Sequence, residues 1–203
     1  MPFRLDSDMN AYLRPTPEID FEHPLVESVV IQHRWESLSA VDRARAAFEF
    51  VRDEIDHSAD VQSKVVTRTA SEVLTHRVGI CYAKSHLLAA LLRRMEIPSG
   101  MCYQRLTLLD DASGGYAIHS LNAAYFEELG RWIRFDARGN KPGVDARFSL
   151  DQEHLAFSVR SEFDEVDYGV IHASAAPETL LPLLSCSDAE DMYLHHLPSS
   201  LTY

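Results

Sequence analysis

The sequence contains few cysteines and no long apolar run. Its 203 residues include three cysteines, Cys81, Cys102 and Cys186. Three scattered thiols do not make a disulfide framework, and their odd number leaves at least one thiol free. The longest plain apolar stretch, residues 87–92, is far below the ~20 residues that cross a bilayer. Because the first residues also lack the apolar core of a signal peptide, we expect a cytoplasmic protein.

Basic charge is also scarce, with 19 Lys and Arg against 31 Asp and Glu and a net charge of −12. Nucleic acids and anionic membranes both reward clustered Lys and Arg, so neither is an expected partner. Residues 150–203 contain ten acidic residues and one basic residue, Arg160, which together account for −9 of the total. We interpret this segment as a solvated acidic extension. Alternatively, it disfavours acidic substrates near a functional site.

The composition, with 46% hydrophobic and 25% charged residues, is sufficient for a buried core. The length favours a single domain over residues 1–203. Four prolines within residues 1–24 predict an extended N-terminal arm rather than a helix. Helices are predicted over residues 25–35, 39–55 and 70–75. Two of them begin with cap pairs, Ser39 with Asp42 and Thr69 with Glu72.

The clearest predicted element is a helix that begins at Cys81, shortly after Gly79. Its apolar residues recur at helical spacing, and Pro98 and Gly100 end it. These apolar positions are Leu87, Leu88, Leu91, Leu92 and Met95. The pattern therefore places a thiol at the first turn of a helix whose body is buried.

Strands are predicted over residues 101–109, 117–126 and 131–135, and a four-residue loop with Gly130 at its end joins the last two. If Phe126 and Arg131 close this hairpin, residues that face each other have numbers that sum to 257. His119 then faces residue 138, and Asp136 lies diagonally adjacent on the same face, within side-chain reach. A register slip of one residue would put the two side chains on opposite faces.

These residue types point to nucleophilic catalysis. A helix N-terminus and a nearby imidazolium both stabilise a thiolate, and together they can lower a cysteine pKa from ~8.5 to ~3.5–7.5. A carboxylate that accepts the second imidazole N–H fixes the tautomer and supports the charged form. We therefore predict Cys81 as nucleophile, His119 as base and Asp136 as the orienting residue.

The oxyanion would bind the backbone N–H of Cys81 and one further donor, for which Gln104 and Gln62 are both candidates. Tyr82 is expected to line or flank the site. No Cys/His or acidic spacing typical of zinc or calcium is found, so no metal or cofactor is expected. Without the other two residues, Cys81 would more often be an inert buried thiol, and Cys102 is interpreted as a small core residue.

The stretch VGICYAKSHLLAALLRRMEIPSG, followed by IHSLNAAYF and RWIRFDARGN, resembles the transglutaminase-like superfamily, in particular a bacterial branch described as predicted cysteine proteases. In that family a cysteine opens a helix, a histidine begins the next strand and an aspartate ends another, on a papain-like α+β fold. The resemblance implies a catalytic core over about residues 69–140. This sequence departs from the family at Leu121, where Trp is common, and at residues 137–140, which replace a Pro- or Thr-rich turn.

The resemblance implies acyl transfer through a thioester on Cys81, with a peptide, protein or small amide as substrate. We favour hydrolysis, because amine transfer needs a dry tunnel that the sequence does not indicate. The alternatives are a transamidating acyltransferase of transglutaminase type and a non-catalytic protein-binding module.

Overall fold

The computed structural model describes residues 3–108 and 112–202. Within these ranges the α-helices are α1 Pro24–Gln32, α2 Ala40–Glu54, α3 Ala70–His76, α4 Cys81–Arg94, α5 Pro177–Ser185 and α6 Ala189–His195. The predicted caps are present. The Ser39 hydroxyl accepts the Asp42 N–H at 3.2 Å, and Thr69 and Glu72 form a reciprocal capping box at the start of α3.

The strands are β1 Arg4–Leu5, β2 Asp56–His57, β3 Val78–Gly79, β4 Ser99–Thr107, β5 Tyr116–Phe126, β6 Arg131–Phe135, β7 Val166–Asp167 and β8 Val170–Ile171. Four of them form an antiparallel sheet in the order β6-β5-β4-β7. Two short parallel pairs, β1 with β8 and β2 with β3, lie outside it.

The hairpin of β5 and β6 has the predicted register. Phe126 pairs with Arg131 and Asn122 pairs with Phe135, so paired numbers sum to 257. Gly130 closes the loop with φ 62°, a conformation that glycine adopts without steric cost. The register therefore brings residue 119 of β5 towards the chain that leaves β6.

Helix α4 forms the centre of the main core, between the sheet on one side and α2 and α3 on the other. Its four predicted leucines are fully buried and Met95 is nearly so. Asn122 on β5 donates a hydrogen bond from its side-chain amide to the Ser85 carbonyl at 3.0 Å, which ties helix to sheet. The result is an α+β fold with the cysteine helix packed on an antiparallel sheet, as predicted.

The opposite face of the sheet has its own small core, which corrects the prediction of an extended N-terminal arm. Residues 9–13 form a 3₁₀ helix, and Tyr12 is fully buried with its hydroxyl donating to the Ile171 carbonyl at 2.7 Å. Gly100 permits this close packing, because a Cβ there would lie 2.6 Å from the His172 carbonyl oxygen. The N-terminal segment covers apolar sheet residues that would otherwise meet water.

Several predicted boundaries shift. The first predicted helix ends at Gln32, because Arg34 is left-handed with φ 55° and Trp35 begins a separate 3₁₀ turn. His57, which lies between two predicted helices, belongs to β2. The predicted strand 101–109 spans Ser99–Thr107, and Leu109 lies outside the described residues. Among the described residues, no helix has the length and apolarity that crossing a bilayer requires.

Candidate active site

Cys81 is the first residue of α4, and two short strands set its position. Strand β3 leads through Ile80, the N-cap residue, directly into the helix. The pairing of β3 with β2 extends to a hydrogen bond from the Ser58 N–H to the Gly79 carbonyl at 3.1 Å. Cys81 is partly exposed, whereas the following residues of the helix are buried. Its position beside N–H groups that lack partners within the helix favours negative charge on sulfur.

His119 lies near the start of β5, and Asp136 follows β6 directly. The distance from His119 Nε2 to Asp136 Oδ2 is 2.7 Å, and both side chains are buried. The Asp136 carboxylate also accepts the backbone N–H groups of Arg138 at 3.0 Å and Ala156 at 3.1 Å. Because Nε2 is occupied by Asp136, Nδ1 is the ring nitrogen left for Cys81, whose side chain is close enough to raise the pKa of the imidazole.

The electrostatics of this set favour a charged imidazole. Burial by itself would lower the pKa of His119, but the Asp136 carboxylate, its hydrogen bond and the Cys81 side chain raise it to about 10. Burial would raise the pKa of Asp136, but the charge of His119 and the accepted hydrogen bonds lower it. At neutral pH the two groups therefore form an imidazolium–carboxylate pair, and Cys81 lies beside the positive charge.

A buried arginine connects the loop after β2 to this pair. Arg138 donates from both terminal nitrogens to Asp60, with one distance of 2.8 Å, and Lys141 joins the same carboxylate at 2.7 Å. Burial would raise the pKa of Asp60, but hydrogen bonds from Arg138 and Lys141 lower it. Since Arg138 also donates its backbone N–H to Asp136, the ion pair holds residues 57–63 next to the carboxylate.

Phe157 packs edge-on against the His119 ring, with centroids 5.1 Å apart and an interplanar angle of 89°. It comes from the acidic C-terminal part of the chain, directly after Ala156, which donates to Asp136. This segment therefore supplies both a hydrogen bond and an apolar wall to the buried pair.

Lys84 is buried one turn after Cys81 and donates a hydrogen bond to the Ile55 carbonyl. Burial and the nearby Arg138 lower its pKa to about 7. Gly139 lies next to this lysine with φ 116°, a backbone conformation that residues with a side chain rarely adopt. The Ala-Arg-Gly-Asn segment that departs from the family turn thus fits around Lys84.

His57 and Tyr193 form a second pair of side chains near the site. Their rings meet edge-on, with centroids 6.4 Å apart and an interplanar angle of 87°. Burial raises the pKa of Tyr193, and the charge of Cys81 raises it further. Burial and the charge of Arg138 keep the pKa of His57 well below its ordinary value, so His57 is neutral, and its Nδ1 is buried without a hydrogen-bond partner.

The structure separates the three predicted oxyanion and substrate candidates. Gln104 lies on β4 directly across from His119, is buried, and has no partner for its side-chain oxygen. Gln62 is exposed in the loop after β2, with φ 52°. Tyr82 is buried, and its hydroxyl donates to the Ile118 carbonyl at 2.8 Å, so that hydroxyl does not face a substrate.

The sequence reasoning missed several residues around the site: His57, Asp60, Arg138, Ala156, Phe157 and Tyr193. They come from four segments far apart in the chain, and most lie outside residues 69–140. The sequence offered one weak signal for them, the departure from the family turn at residues 137–140. In the described part of the chain, no group of three or more His, Cys, Asp or Glu side chains is arranged to hold a metal ion.

Comparison with known proteins concerns the fold and the family of this chain. No curated protein matches the sequence. One similar solved structure, from Cytophaga hutchinsonii, is described as a predicted cysteine protease; it is 21% identical, with a TM-score of 0.52, over 66% of this chain and 43% of that chain. Another, described as a TGase, is 16% identical with a TM-score of 0.42, over 91% of this chain and 52% of that one.

This chain thus spans about half the length of these two structures, and at such identities the likeness concerns the fold alone. The family profile of the transglutaminase-like superfamily matches residues 31–137, a stretch that includes Cys81, His119 and Asp136. That stretch is more than half of the chain, and we conclude that the protein belongs to the transglutaminase-like superfamily.

Proposed function

We propose that the protein is a cysteine-dependent acyl-transfer enzyme that hydrolyses a peptide or other amide bond. Cys81 is the nucleophile, His119 its acid–base partner and Asp136 the residue that orients His119. The observation that carries this proposal is the buried 2.7 Å contact between His119 and Asp136, which leaves Nδ1 for a thiol at a helix start. A purely structural histidine would not need a free ring nitrogen beside a partly exposed cysteine.

The charge distribution supports the same roles. With its pKa raised to about 10, His119 carries a proton at neutral pH, and this proton is available for a leaving group. The adjacent positive charge and the helix N-terminus both stabilise a thiolate on Cys81. The three hydrogen bonds accepted by Asp136 keep its carboxylate fixed and ionised while the imidazole changes charge.

The proposed reaction has two halves. The Cys81 thiolate attacks the amide carbonyl, a carbon–sulfur bond forms, and the tetrahedral oxyanion accepts the Cys81 backbone N–H. The carbon–nitrogen bond then breaks, and the imidazolium passes its proton to the departing amine. Neutral His119 next removes a proton from water as it attacks the thioester. The carbon–sulfur bond breaks, the acid leaves, and the thiolate–imidazolium pair is restored.

A second oxyanion donor is also needed, and Gln104 is the better placed of the two glutamines. It pairs directly with His119 across the sheet, whereas Gln62 is exposed on the loop after β2. An amide fixed by burial stabilises a developing charge without reorganising, which an exposed flexible side chain does not do.

Alkylation of the thiols tests the proposal. We expect iodoacetamide at pH 6 to modify Cys81 rapidly and to leave Cys102, which is buried and has its pKa raised to about 12, unmodified. Peptide mass spectrometry assigns the modified residue, and His119→Gln serves as the control that removes the imidazolium. Slow modification of Cys81 at pH 6, with no difference between wild type and His119→Gln, would contradict a catalytic thiolate.

Product analysis separates hydrolysis from amine transfer. Cys81 is partly exposed, so water has access to a thioester there, and we expect ¹⁸O from labelled water in the released acid. Incorporation of an added primary amine without ¹⁸O would instead indicate a transamidating acyltransferase. A rapidly alkylated Cys81 that forms no acyl-enzyme with any amide or ester would favour a binding module.

A further inference from the structure

A cavity of about 220 Å³ lies between the loop after β2 and helix α6, and its lining includes Gln62 but none of the predicted triad Cys81, His119 and Asp136. Ser58, Ala59, Gln62 and Ser63 form one wall, and Ala189, Glu190, Tyr193 and Leu194 form the other. We propose that this cavity binds the side chain of the acyl donor, next to the carbonyl that Cys81 attacks, and selects an uncharged apolar side chain. The inference rests on the proposed function and specifies its substrate class.

The cavity is connected to the nucleophile through both of its walls. On one side, Ser58 donates its N–H to Gly79, two residues before Cys81. On the other side, Tyr193 lines the cavity and contacts the His57 ring. The charge of Cys81 contributes to the raised pKa of Tyr193. Each wall of the cavity is therefore connected to the surroundings of Cys81, one through the strand that leads into α4 and the other through the His57 ring.

Helix α6 is fixed in place, so the second wall is a built part of the site. The Ala189 N–H donates to the Lys64 carbonyl at 3.0 Å, and Ala189 and Met192 are buried beneath the helix. After the helix, the Pro198 carbonyl accepts the N–H of Ile118, the residue before His119, at 2.9 Å. The C-terminal segment thus packs against the Ser58–Ser63 loop and against the strand that carries the histidine.

The size and chemistry of the cavity indicate its occupant. Sites for whole small molecules enclose about 300–1,000 Å³, so a cavity of about 220 Å³ suits a single side chain. Ala59, Ala189, Leu194 and the Tyr193 ring give it apolar walls. The charged residue in the lining is Glu190, which repels an acidic side chain and has no basic neighbour in the lining to offset it. A leucyl or phenylalanyl side chain meets both conditions.

Aminoacyl chloromethyl ketones test the inference, because their side chain is held next to the ketone carbonyl while the Cys81 thiolate displaces chloride from the chloromethyl carbon and becomes alkylated. We expect the N-acetyl leucyl and phenylalanyl ketones to inactivate wild-type protein at least about tenfold faster than the glycyl and glutamyl ketones, in line with the discrimination that an apolar pocket provides. Iodoacetamide, which has no such side chain, reports thiol reactivity alone.

Two variants link the preference to the cavity. Ala59→Trp fills the space, and Leu194→Asp places a charge in a wall residue that is 62% exposed and therefore tolerant of substitution. Both should lose the preference for the leucyl ketone while keeping the wild-type rate with iodoacetamide. Leu181→Asp on α5 is the matched control, since this leucine is 66% exposed but is not part of the cavity lining.

The outcomes distinguish this inference from the proposed function. If iodoacetamide modifies Cys81 rapidly but all four ketones react equally, or if Leu194→Asp keeps the leucyl preference, the cavity is not the acyl-donor subsite. If iodoacetamide itself fails to modify Cys81 rapidly, the proposed function fails first.

Discussion

Cys81 and Cys102 have different surroundings, and they differ in position, exposure and neighbouring charge, which control thiol chemistry. Cys81 begins a helix, is partly exposed and lies beside a charged imidazole. Cys102 lies within β4 in the small core with Tyr12, Leu121 and Ile171, and burial raises its pKa to about 12. Reactivity in this chain is therefore determined by the position of a thiol in the fold, since the side chain itself is the same.

The comparison also separates charge from packing. Around Cys81 the fold assembles buried charged groups: His119 with Asp136, and Arg138 with Asp60. Around Cys102 it assembles apolar side chains, with Arg134 and its two carboxylate partners next to them. Changes around Cys81 should therefore affect chemistry, and changes around Cys102 should affect stability.

The largest expected effect on the reaction rate comes from replacing Cys81, the proposed nucleophile. Cys81→Ser should lower the hydrolysis rate of any amide substrate by about 10⁴- to 10⁶-fold, because a serine hydroxyl is not ionised beside the same imidazole. Thermal unfolding should change little, since residue 81 is partly exposed. Steady-state rates and a melting curve measure the two effects. A Cys81→Ser variant that keeps more than a few per cent of the wild-type rate would contradict the assignment of Cys81 as the nucleophile.

The next largest effect on the reaction rate is expected from replacing Asp136, the proposed orienting residue. Asp136→Asn removes the negative charge but keeps a similar shape, and we expect the rate constant for turnover to fall by about 10⁴-fold. The imidazole loses its main source of raised pKa, so an NMR titration of His119 should show a lower midpoint than in wild type. An unchanged His119 titration would show that the 2.7 Å contact does not govern the imidazole.

The two glutamines form a matched pair for the next test. Gln104→Ala should lower the turnover rate by about 10²- to 10³-fold with little change in KM, as expected on removal of one oxyanion donor. Gln62→Ala should leave turnover within about threefold of wild type, because this side chain is exposed. The opposite order would assign the oxyanion donor to the loop after β2.

The pH dependence of the free energy of unfolding should reveal the charged groups around Cys81. The pKa of His119 is raised from 6.5 to about 10 on folding, so its contribution is complete below pH 6.5 and is lost as pH rises towards 10. The pKa of Lys84 is lowered from 10.5 to about 7, so its unfavourable contribution diminishes over the same range. These slopes have opposite signs and offset each other in wild type.

A variant that lacks one of the two groups shows the pH dependence that the other group gives to the free energy of unfolding, between pH 7 and 8.5. The free energy of unfolding, measured in urea, should rise with pH in His119→Gln and fall with pH in Lys84→Met. Each change is limited to about 1.4 kcal/mol per pH unit. Two variants with the same slope as wild type would show that neither group is perturbed as the structure implies.

The smallest effect on the reaction is expected from replacing Cys102. Cys102→Ser buries a hydroxyl among apolar side chains and should lower the free energy of unfolding by about 1–3 kcal/mol. Its rate with iodoacetamide at Cys81 should equal that of wild type, and Cys102→Ala provides a control without the buried hydroxyl. A change in Cys81 reactivity in either variant would mean that the surroundings of the two cysteines are coupled.

The parts of the molecule that were predicted correctly depend on local sequence. Helix α4 follows from the spacing of its leucines, and the caps Ser39 and Thr69 follow from pairs three residues apart. The register of the β5–β6 hairpin follows from the length of a four-residue loop. That register was enough to bring His119 and Asp136 together, because the pairing of neighbouring strands is set by their turn.

The parts that were missed depend on contacts between distant segments. Ala156 and Phe157 reach Asp136 and His119 through a segment without regular secondary structure. Tyr193 reaches the site from a C-terminal helix that was interpreted only as acidic extension. Tyr12 was assigned to an extended arm, because proline content describes the local backbone and does not show which apolar surface requires cover.

The sequence by itself determined a thiol at the start of a buried helix, followed by a hairpin that carries a histidine and an aspartate, since each of these features arises from residues within a few positions of one another. Only the tertiary structure decided what surrounds them: the Arg138–Asp60 pair, the Phe157 wall and the cavity beneath α6. The physical reason is that burial, charge and cavity shape come from segments that meet only when the chain has folded.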